Sequence, residues 1–172
     1  MSFFTATHSP TPTTRSSILK PFNTMLFVCD IQETFRGKIY NWPDIVSIGS
    51  SLTNVGKILD MQIIITEQNP FKDTIHEIDT VSHSDKMLVY KKTKFSMITN
   101  ELQSRLSRDY VHENIIIYGI ETHVCILQTC VDLIRMKYNV YVVVDGVGSQ
   151  RKQDHKIAIQ RLIQGMYIYM YI

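Results

Sequence analysis

Apolar residues in this chain are grouped in short continuous runs, which are separated by stretches with helical spacing. Runs of about five residues that are rich in Ile, Val, Leu and Phe are typical of strands buried on both faces. Such runs are present at residues 25–29, 62–66, 87–90, 115–118 and 140–144. Between them, apolar residues recur every three or four positions at residues 43–60, 97–106, 126–137 and 153–163, and this spacing predicts helices.

The order of these elements predicts the fold class. Strands that alternate with helices form parallel sheets with helices on both faces, because each parallel connection needs a crossover. We therefore expect an α/β fold of three layers, α-β-α, with a doubly wound, mainly parallel, Rossmann-like sheet. Residues 67–70 are predicted to form a turn, residues 71–85 a loop or lid with solvent-exposed His76 and His83, and Ser96 the cap of the helix at 97–106.

The two ends of the chain differ from its centre. Residues 1–24 are rich in Ser, Thr and Pro and contain no acidic residue, which predicts a disordered tail before one domain at residues 25–172. The tail has no apolar segment of a secretory signal, so a cytoplasmic protein is expected, with mitochondrial import as the alternative. The run after Gly165 predicts a sixth, edge strand, and the domain is expected to be shortened because no C-terminal helix follows that strand.

Composition narrows the classes of partner. The chain has 172 residues, 44% hydrophobic content and a formal net charge of +2 at pH 7. This charge is too small to favour nucleic acid or a membrane surface, and no apolar run reaches transmembrane length. Three cysteines without pairable spacing are typical of a reducing compartment. We therefore expect a small molecule as the partner.

Cys125 is a candidate nucleophile because it lies between a predicted strand and a predicted helix. Free N–H groups and the positive end of the helix dipole gather at a helix N-terminus, and both favour a thiolate over a thiol. The alternative is that Cys125 is a small buried apolar residue, as most free cysteines are. Core packing is the role expected for Cys29 and Cys130.

Two other strand ends carry charged side chains. Asp30 follows the first predicted strand, and Lys91, Lys92 and Lys94 follow the third. The C-terminal ends of parallel strands share one edge of the sheet, where open α/β proteins bind ligands. Each signal has a simpler explanation, since Asp30 could cap the next segment and a run of lysines is commonly a solvated turn. With Cys125 they predict one site that holds a base, a cation and a nucleophile.

Metal and cofactor sites are not predicted. The sequence contains no H-x-H, HExxH or C-x-x-C motif. The stretch from Gly146 to Gly148 lacks the third glycine of a dinucleotide-binding fingerprint. It also follows the fifth predicted strand of the chain, which is too late for that motif. We therefore expect neither a metal nor a cofactor.

Three motifs, in this order, resemble those of the isochorismatase-like cysteine hydrolases, a family that includes nicotinamidases and N-carbamoylsarcosine amidohydrolases. Residues 30–35 (DIQETF) match the pattern D-x-Q-x-x-F, and residues 92–97 (KTKFSM) are similar to K-x-x-[YF]-S. Residues 119–126 (GIETHVCI) are similar to G-x-x-[TA]-x-x-C-[VI]. The resemblance extends from residue 25 to about residue 165 and is greatest to the isochorismatase domain-containing subgroup.

The resemblance implies a role for each member of the predicted site. Asp30 would be the general base, Lys92 the cation that orients the reacting groups, and Cys125 the nucleophile. A cis peptide between Ile120 and Glu121 would direct backbone N–H groups, including that of Cys125, at the oxyanion of a tetrahedral intermediate. The substrate-pocket candidates that follow from the motifs are Gln32, Phe35 and Phe95.

Two departures from the family pattern narrow the expected reaction. Nicotinamidases carry a D-x-H metal cluster after the second strand, where this chain has Glu67-Gln68-Asn69, so neither a metal nor nicotinamide is expected. Enzymes of the family that act on isochorismate lack the cysteine, so Cys125 favours acyl transfer. The resemblance therefore implies metal-independent hydrolysis of a small amide or related C–N substrate by a homo-oligomer.

Three alternatives are weaker on the same residues. The first is a non-catalytic interaction or scaffold protein on the same fold. The second is a redox role for Cys125 and Cys130, whose i, i+5 spacing on one helix disfavours a direct disulfide. The third is a phosphatase built on Cys125, which would need an Arg where this chain has Val131.

Overall fold

A computed structural model describes residues 18–80, 85–165 and 168–170. These residues form one parallel sheet with helices on both faces, which confirms the predicted α/β class. The strands are β1 (Thr24–Cys29), β2 (Gln62–Gln68), β3 (Met87–Lys92), β4 (Asn114–Ile120), β5 (Asn139–Gly148) and β6 (Ile168–Met170). The helices are α1 (Trp42–Ile58), α2 (Asn100–Leu106), α3 (Leu127–Arg135) and α4 (Lys152–Gln164), and shorter helical turns lie at Pro21–Asn23, Glu33–Phe35 and Thr122–Ile126.

The strand order places a topological switch at the centre of the sheet. The order is β3-β2-β1-β4-β5-β6, and all neighbouring strands are parallel. The chain builds outward from β1 to β3 on one side and then from β4 to β6 on the other. The carboxyl ends of β1 and β4 therefore flank the position where open α/β sheets bind ligands.

The two faces of the sheet carry separate cores. Side chains of β1 and β4 alternate between the faces, so Phe27 and Ile117 pack with α2, α3 and α4, whereas Val28 and Tyr118 pack with α1. Both strands are buried along their whole length. Burial on both faces explains why the sequence shows continuous apolar runs instead of a polar–apolar alternation.

Strands β2 and β3 extend beyond their predicted ends at residues 66 and 90. Backbone pairing continues to the pair Gln68–Lys92, because ladder hydrogen bonds do not require apolar side chains. The predicted turn at 67–70 is therefore confined to Asn69 and Pro70, which are joined by a cis peptide bond. As a result, Gln68 and Lys92 both lie on the C-terminal edge of the sheet.

Helix α2 begins later than predicted and has a different cap. It starts at Asn100, and Thr99 caps it by accepting a hydrogen bond from the Leu102 N–H (3.1 Å). The predicted cap, Ser96, instead accepts from the Ile98 N–H (3.1 Å) in the segment before the helix. Either hydroxyl can cap a helix, so residue type alone does not separate the two positions.

The loop after β2 has the irregular structure that the sequence predicts. Residues 71–80 contain one isolated β-bridge, between Thr74 and Gln32, and are otherwise neither helix nor strand. His76 is exposed in this loop. His83 lies outside the described residues.

The ends of the described chain change one predicted boundary. Most of the predicted N-terminal tail, residues 1–17, lies outside the described residues. The last part of that tail is structured, since Pro21–Asn23 form a 3₁₀ turn and Thr24 is already part of β1. At the other end, β6 is the edge strand that the sequence predicts and pairs in parallel with β5.

Candidate functional site

Three side chains predicted from the sequence meet at the C-terminal edge of the sheet. Asp30 directly follows β1, Lys92 is the last residue of β3, and Cys125 lies in the turn after β4. The Lys92 Nζ is 2.7 Å from Asp30 Oδ2 and 3.8 Å from Cys125 Sγ. The exposed fractions of Asp30, Lys92 and Cys125 are 2%, 3% and 8%. A carboxylate, an ammonium and a thiol therefore share one buried site.

Asp30 is oriented by its backbone and by a neighbouring hydroxyl. Its φ angle is 51°, in the left-handed region that Asp tolerates better than most residues. The Thr66 hydroxyl donates to Oδ1 (2.8 Å), which leaves Oδ2 for Lys92. Burial raises the pKa of the Asp30 carboxyl. The positive charge of Lys92 lowers it, as do hydrogen bonds from Lys92, Thr66 and Cys125, but together they offset the effect of burial only in part. Because its pKa is raised, Asp30 is a better proton acceptor than an ordinary aspartate.

Lys92 supplies a positive charge that is shielded from water. Its side chain has no exposed surface. Burial alone would lower the pKa of Lys92, but its electrostatic interactions with Cys29, Asp30 and Cys125 and its hydrogen bond to Asp30 raise this pKa above its usual value. An ammonium is therefore held beside the Cys125 sulfur. Its other acceptors are Gln68 Oε1 (2.7 Å), the Phe95 carbonyl oxygen (2.9 Å) and the Lys94 carbonyl oxygen (3.2 Å).

Cys125 lies in a wide helical turn that joins β4 to α3. The turn spans Thr122–Ile126, and the Ile126 N–H donates to the carbonyl oxygen of Glu121, five positions earlier (3.1 Å). The preceding Ile120–Glu121 peptide bond is cis. The turn thus begins directly at the end of β4 and places Cys125 above the end of β1.

Hydrogen bonds join this turn to the segment that follows Lys92. The Thr129 hydroxyl donates to the Cys125 carbonyl oxygen (2.6 Å) and accepts from the Met97 N–H (2.9 Å). Thr129 is completely buried. The Thr129 hydroxyl therefore links the backbone of Cys125 to the segment that follows Lys92.

A second set of hydrogen bonds holds the turn against the start of α4. The Gln150 N–H donates to the Glu121 carboxylate (2.9 Å). The Thr122 hydroxyl is 3.0 Å from His155 Nδ1, and burial lowers the pKa of that histidine. His123 Nδ1 lies 2.9 Å from Ser149 Oγ, and Gln150 Nε2 donates to Glu121 Oε1 (3.2 Å).

The other two cysteines differ in their distance from the site. Cys130 is buried in the core as predicted, and burial raises the pKa of its thiol. Cys29 is also completely buried, but its Sγ lies 3.6 Å from Asp30 Oδ2 and its thiol interacts with Cys125. Burial raises the pKa of Cys29 well above its usual value. Cys29 therefore combines its predicted packing role with a contact to the site that the sequence does not indicate.

The three substrate-pocket candidates have different surroundings. Gln32 is completely buried, and its side-chain amide forms hydrogen bonds with backbone atoms of Gln68 and Lys72. This environment differs from the substrate contact expected of Gln32, because both amide hydrogens are already used. Phe35 is half-buried and packs edge-to-face on Phe71, with ring centroids 5.0 Å apart. Phe95 is 58% exposed, and its carbonyl oxygen accepts from Lys92.

Sequence reasoning misses three polar residues that contact the site. Thr66 and Thr129 bind Asp30 and Cys125, and Gln68 binds Lys92. A polar residue on an otherwise apolar strand or helix stripe is the signal that could have identified Thr66 and Thr129. Gln68 has no comparable signal, because it falls within a predicted turn.

Among residues 18–80, 85–165 and 168–170, no three His, Cys, Asp or Glu side chains converge as metal ligands would. Within the same ranges, no helix is long and apolar enough to span a membrane.

Comparison with known proteins identifies relatives over nearly all of the described chain. The family model named isochorismatase domain matches residues 24–170. Isochorismatase domain-containing protein 1 of Danio rerio is 37% identical over 146 residues, which cover 84% of this chain and 50% of that protein. Isochorismatase domain-containing protein 2 of Xenopus laevis is 38% identical over 144 residues, which cover 83% of this chain and 68% of that protein. The chain thus spans about half the length of the first relative and two thirds of the second.

A solved structure has a fold similar to that of this chain. The structure of MAR1 ribonuclease from Caenorhabditis elegans superposes with a TM-score of 0.81 at 36% sequence identity. The superposition covers 87% of this chain and 77% of the Caenorhabditis elegans protein.

Proposed function

The chain belongs to the isochorismatase family, and on this basis we propose that it is a cysteine hydrolase that cleaves a small amide or a related C–N bond without a metal. The observation that carries the proposal is the convergence of Asp30, Lys92 and Cys125 in one buried site. Family membership supports hydrolysis as the reaction class. The three side chains support a thiol nucleophile within that class.

The reaction begins with a proton transfer inside the site. Asp30 takes the proton of the Cys125 thiol, and the thiolate adds to the substrate carbonyl carbon. Backbone N–H groups of the turn, including that of Cys125, stabilise the resulting oxyanion. Protonated Asp30 then gives its proton to the leaving nitrogen, and the C–N bond breaks to leave a thioester on Cys125. Asp30 next takes a proton from a water molecule as that water attacks the thioester. The C–S bond breaks to release a carboxylic acid, and the Cys125 thiolate takes the proton back from Asp30.

Selective alkylation tests the nucleophile without knowledge of the substrate. At near-neutral pH, iodoacetamide is expected to modify Cys125 before Cys29 or Cys130. The Cys125 sulfur lies 3.8 Å from the Lys92 ammonium and Asp30 can accept its proton, whereas burial raises the pKa of the other two thiols. Peptide mass spectrometry gives the rate at each site. Asp30→Asn should slow the modification of Cys125. Equal rates at all three cysteines would contradict the proposal.

A turnover screen distinguishes a hydrolase from a non-catalytic interaction protein with the same fold. Small primary amides are assayed with the unmodified protein, with Cys125→Ala, and with Cys130→Ala as the matched control. Hydrolysis that is lost in Cys125→Ala and kept in Cys130→Ala supports the proposal. A folded protein that hydrolyses no member of the panel would favour a non-catalytic interaction protein. An RNA oligonucleotide is included because the Caenorhabditis elegans relative is named a ribonuclease, and RNA cleavage that persists in Cys125→Ala would point to a different chemistry.

The pH dependence of turnover reports on Asp30. Asp30 must be ionised to accept the thiol proton, so kcat/KM should fall as the pH decreases through its pKa. Burial raises that pKa, and the midpoint of the acid limb is therefore expected above the 3.8 of an ordinary aspartate. A profile measured from pH 3 to pH 8 on the best amide of the screen tests this. A flat profile down to pH 4 would argue against Asp30 as the base.

A further inference from the structure

The Lys92 ammonium has more acceptors than hydrogens. It carries three N–H groups. Five acceptor atoms lie around it, at 2.7 Å (Asp30 Oδ2), 2.7 Å (Gln68 Oε1), 2.9 Å (Phe95 O), 3.2 Å (Lys94 O) and 3.8 Å (Cys125 Sγ). Two of these atoms belong to the groups that exchange a proton in the proposed reaction, and the other three are neutral oxygens.

Gln68 provides the single side chain among these neutral acceptors. Its amide orientation is set by its other bonds, since Nε2 donates to the carbonyl oxygens of Thr93 (3.1 Å) and Asn69 (3.4 Å). The Oε1 atom is consequently the one that faces Lys92. Because Gln68 and Lys92 are paired across β2 and β3, the contact is built into the register of the sheet.

The side chain of Gln32 forms hydrogen bonds with the backbone of Gln68. The Gln32 Oε1 accepts from the Gln68 N–H (2.8 Å), and Nε2 donates to the Gln68 carbonyl oxygen (3.1 Å). The same Nε2 donates to the Lys72 carbonyl oxygen (2.6 Å) in the loop after β2. Gln32 therefore fixes the backbone of Gln68 and leaves its side chain to act on Lys92.

We propose that Gln68 is a positioning residue, which holds the Lys92 ammonium between Asp30 and Cys125 while a proton moves from the thiol to the carboxylate. The inference rests on the proposed function, because it concerns the same thiol and the same base. It adds a residue to which neither the motifs nor the family match assigns a role.

The physical need for such a residue comes from the movement of charge. Before the proton transfer the negative charge is on Asp30, and afterwards it is on the sulfur of Cys125. If Asp30 alone positioned the Lys92 ammonium, the ammonium would lie nearer the carboxyl group than the sulfur, and the thiolate would be less stabilised. A neutral oxygen on Gln68 attracts the ammonium equally in both states, so it opposes this displacement.

Two substitutions at Gln68 and one on the same strand test the inference. Gln68→Met keeps the length of the side chain and removes the acceptor. Gln68→Glu keeps the shape and adds a negative charge that competes with the thiolate for Lys92. Gln62→Met is the matched control, because Gln62 begins the strand that Gln68 ends, roughly 20 Å away, and its side chain bonds Lys86 and Arg105 outside the site.

The measurement is the rate of iodoacetamide alkylation at Cys125 as a function of pH. At pH 7 the rate should fall about tenfold in Gln68→Met and about tenfold further in Gln68→Glu, with the midpoint of the profile displaced to higher pH. Gln62→Met should match the unmodified protein. These shifts would not follow from a role of Gln68 in packing alone, and far-UV circular dichroism confirms that each variant is folded.

The outcomes distinguish the inference from the proposed function. If Cys125 of the unmodified protein is not alkylated selectively, the proposed function fails. If alkylation is selective but Gln68→Met and Gln68→Glu both react within twofold of the unmodified protein, only the role of Gln68 is overturned. If Gln68→Met does not fold, the isosteric Gln68→Glu decides, since it preserves the packing of the side chain.

Discussion

Lys92→Met is expected to destabilise the protein by about 3–5 kcal/mol and to reduce turnover to background. The substitution removes a cation from a side chain with no exposed surface and leaves the carboxylate of Asp30, 2% exposed, without its partner. An uncompensated buried charge accounts for the loss of stability, and the absence of a cation beside Cys125 accounts for the loss of turnover. Urea unfolding and the amide assay measure the two effects.

The neighbouring lysine is the matched control for this prediction. Lys91 is 71% exposed and lies 3.9 Å from Glu67 and 3.7 Å from Asp73, so Lys91→Met should cost less than about 1 kcal/mol. The double variant Asp30→Asn/Lys92→Met should recover about 2 kcal/mol relative to Lys92→Met, because no buried charge remains, but it should stay inactive. Equal stability of Lys92→Met and Lys91→Met would contradict the assigned ion pair.

The stability loss of Lys92→Met should also depend on pH. Burial already raises the pKa of Asp30 in the unmodified protein, and Lys92 opposes this effect. Without Lys92, the pKa of Asp30 is therefore expected to rise further. A carboxyl whose folded-state pKa is raised stabilises the fold below its unfolded pKa and loses that contribution as the pH rises through its folded pKa. The difference in unfolding free energy between Lys92→Met and the unmodified protein should therefore be smaller near pH 4 than at pH 7.

The same residues show why the sequence predicts the position of the site but not all of its parts. Asp30 directly follows the apolar run that ends at Cys29, where β1 also ends. Cys125 lies between the run of β4 and the helical pattern of α3, so its position after a strand is visible although β4 continues to Ile120. Lys91 and Lys92 cannot be separated in this way, because the apolar run ends at Tyr90 while the strand continues to Lys92. Once that end is known, alternation places Lys92 on the face of Leu88 and Tyr90, which is the face of Cys125.

Long-range pairing explains the features that the pattern does not reveal. Gln68 reaches Lys92 because β2 and β3 are paired at these two residues. A register between strands depends on the loop that joins them and on the core beneath them, and neither is encoded in the few residues around Gln68. The fold class depends instead on the order of elements along the whole chain, so it is predictable even where individual boundaries are not.

Gly119→Ala is expected to prevent folding, with a cost of more than about 4 kcal/mol. Gly119 has a φ angle of +122°, which residues with a side chain rarely adopt. It is paired with Cys29 at the centre of the sheet, and a Cβ on Gly119 would collide with the Cys29 carbonyl oxygen and lie 2.8 Å from the Cys29 N atom. These are backbone atoms, so relief requires β1 and β4 to separate. Soluble yield and thermal unfolding measure the effect.

Gly37→Ala distinguishes this collision from backbone strain alone. Gly37 also has a positive φ angle, +74°, but beyond its two chain neighbours no residue has an atom within 4 Å of the position of its Cβ. Its substitution should therefore cost only about 1–2 kcal/mol, the penalty of the left-handed conformation itself. If Gly119→Ala and Gly37→Ala melted at similar temperatures, β1 and β4 would not approach as closely as described. The close approach matters for the site, because the ends of these two strands carry Asp30 and the turn of Cys125.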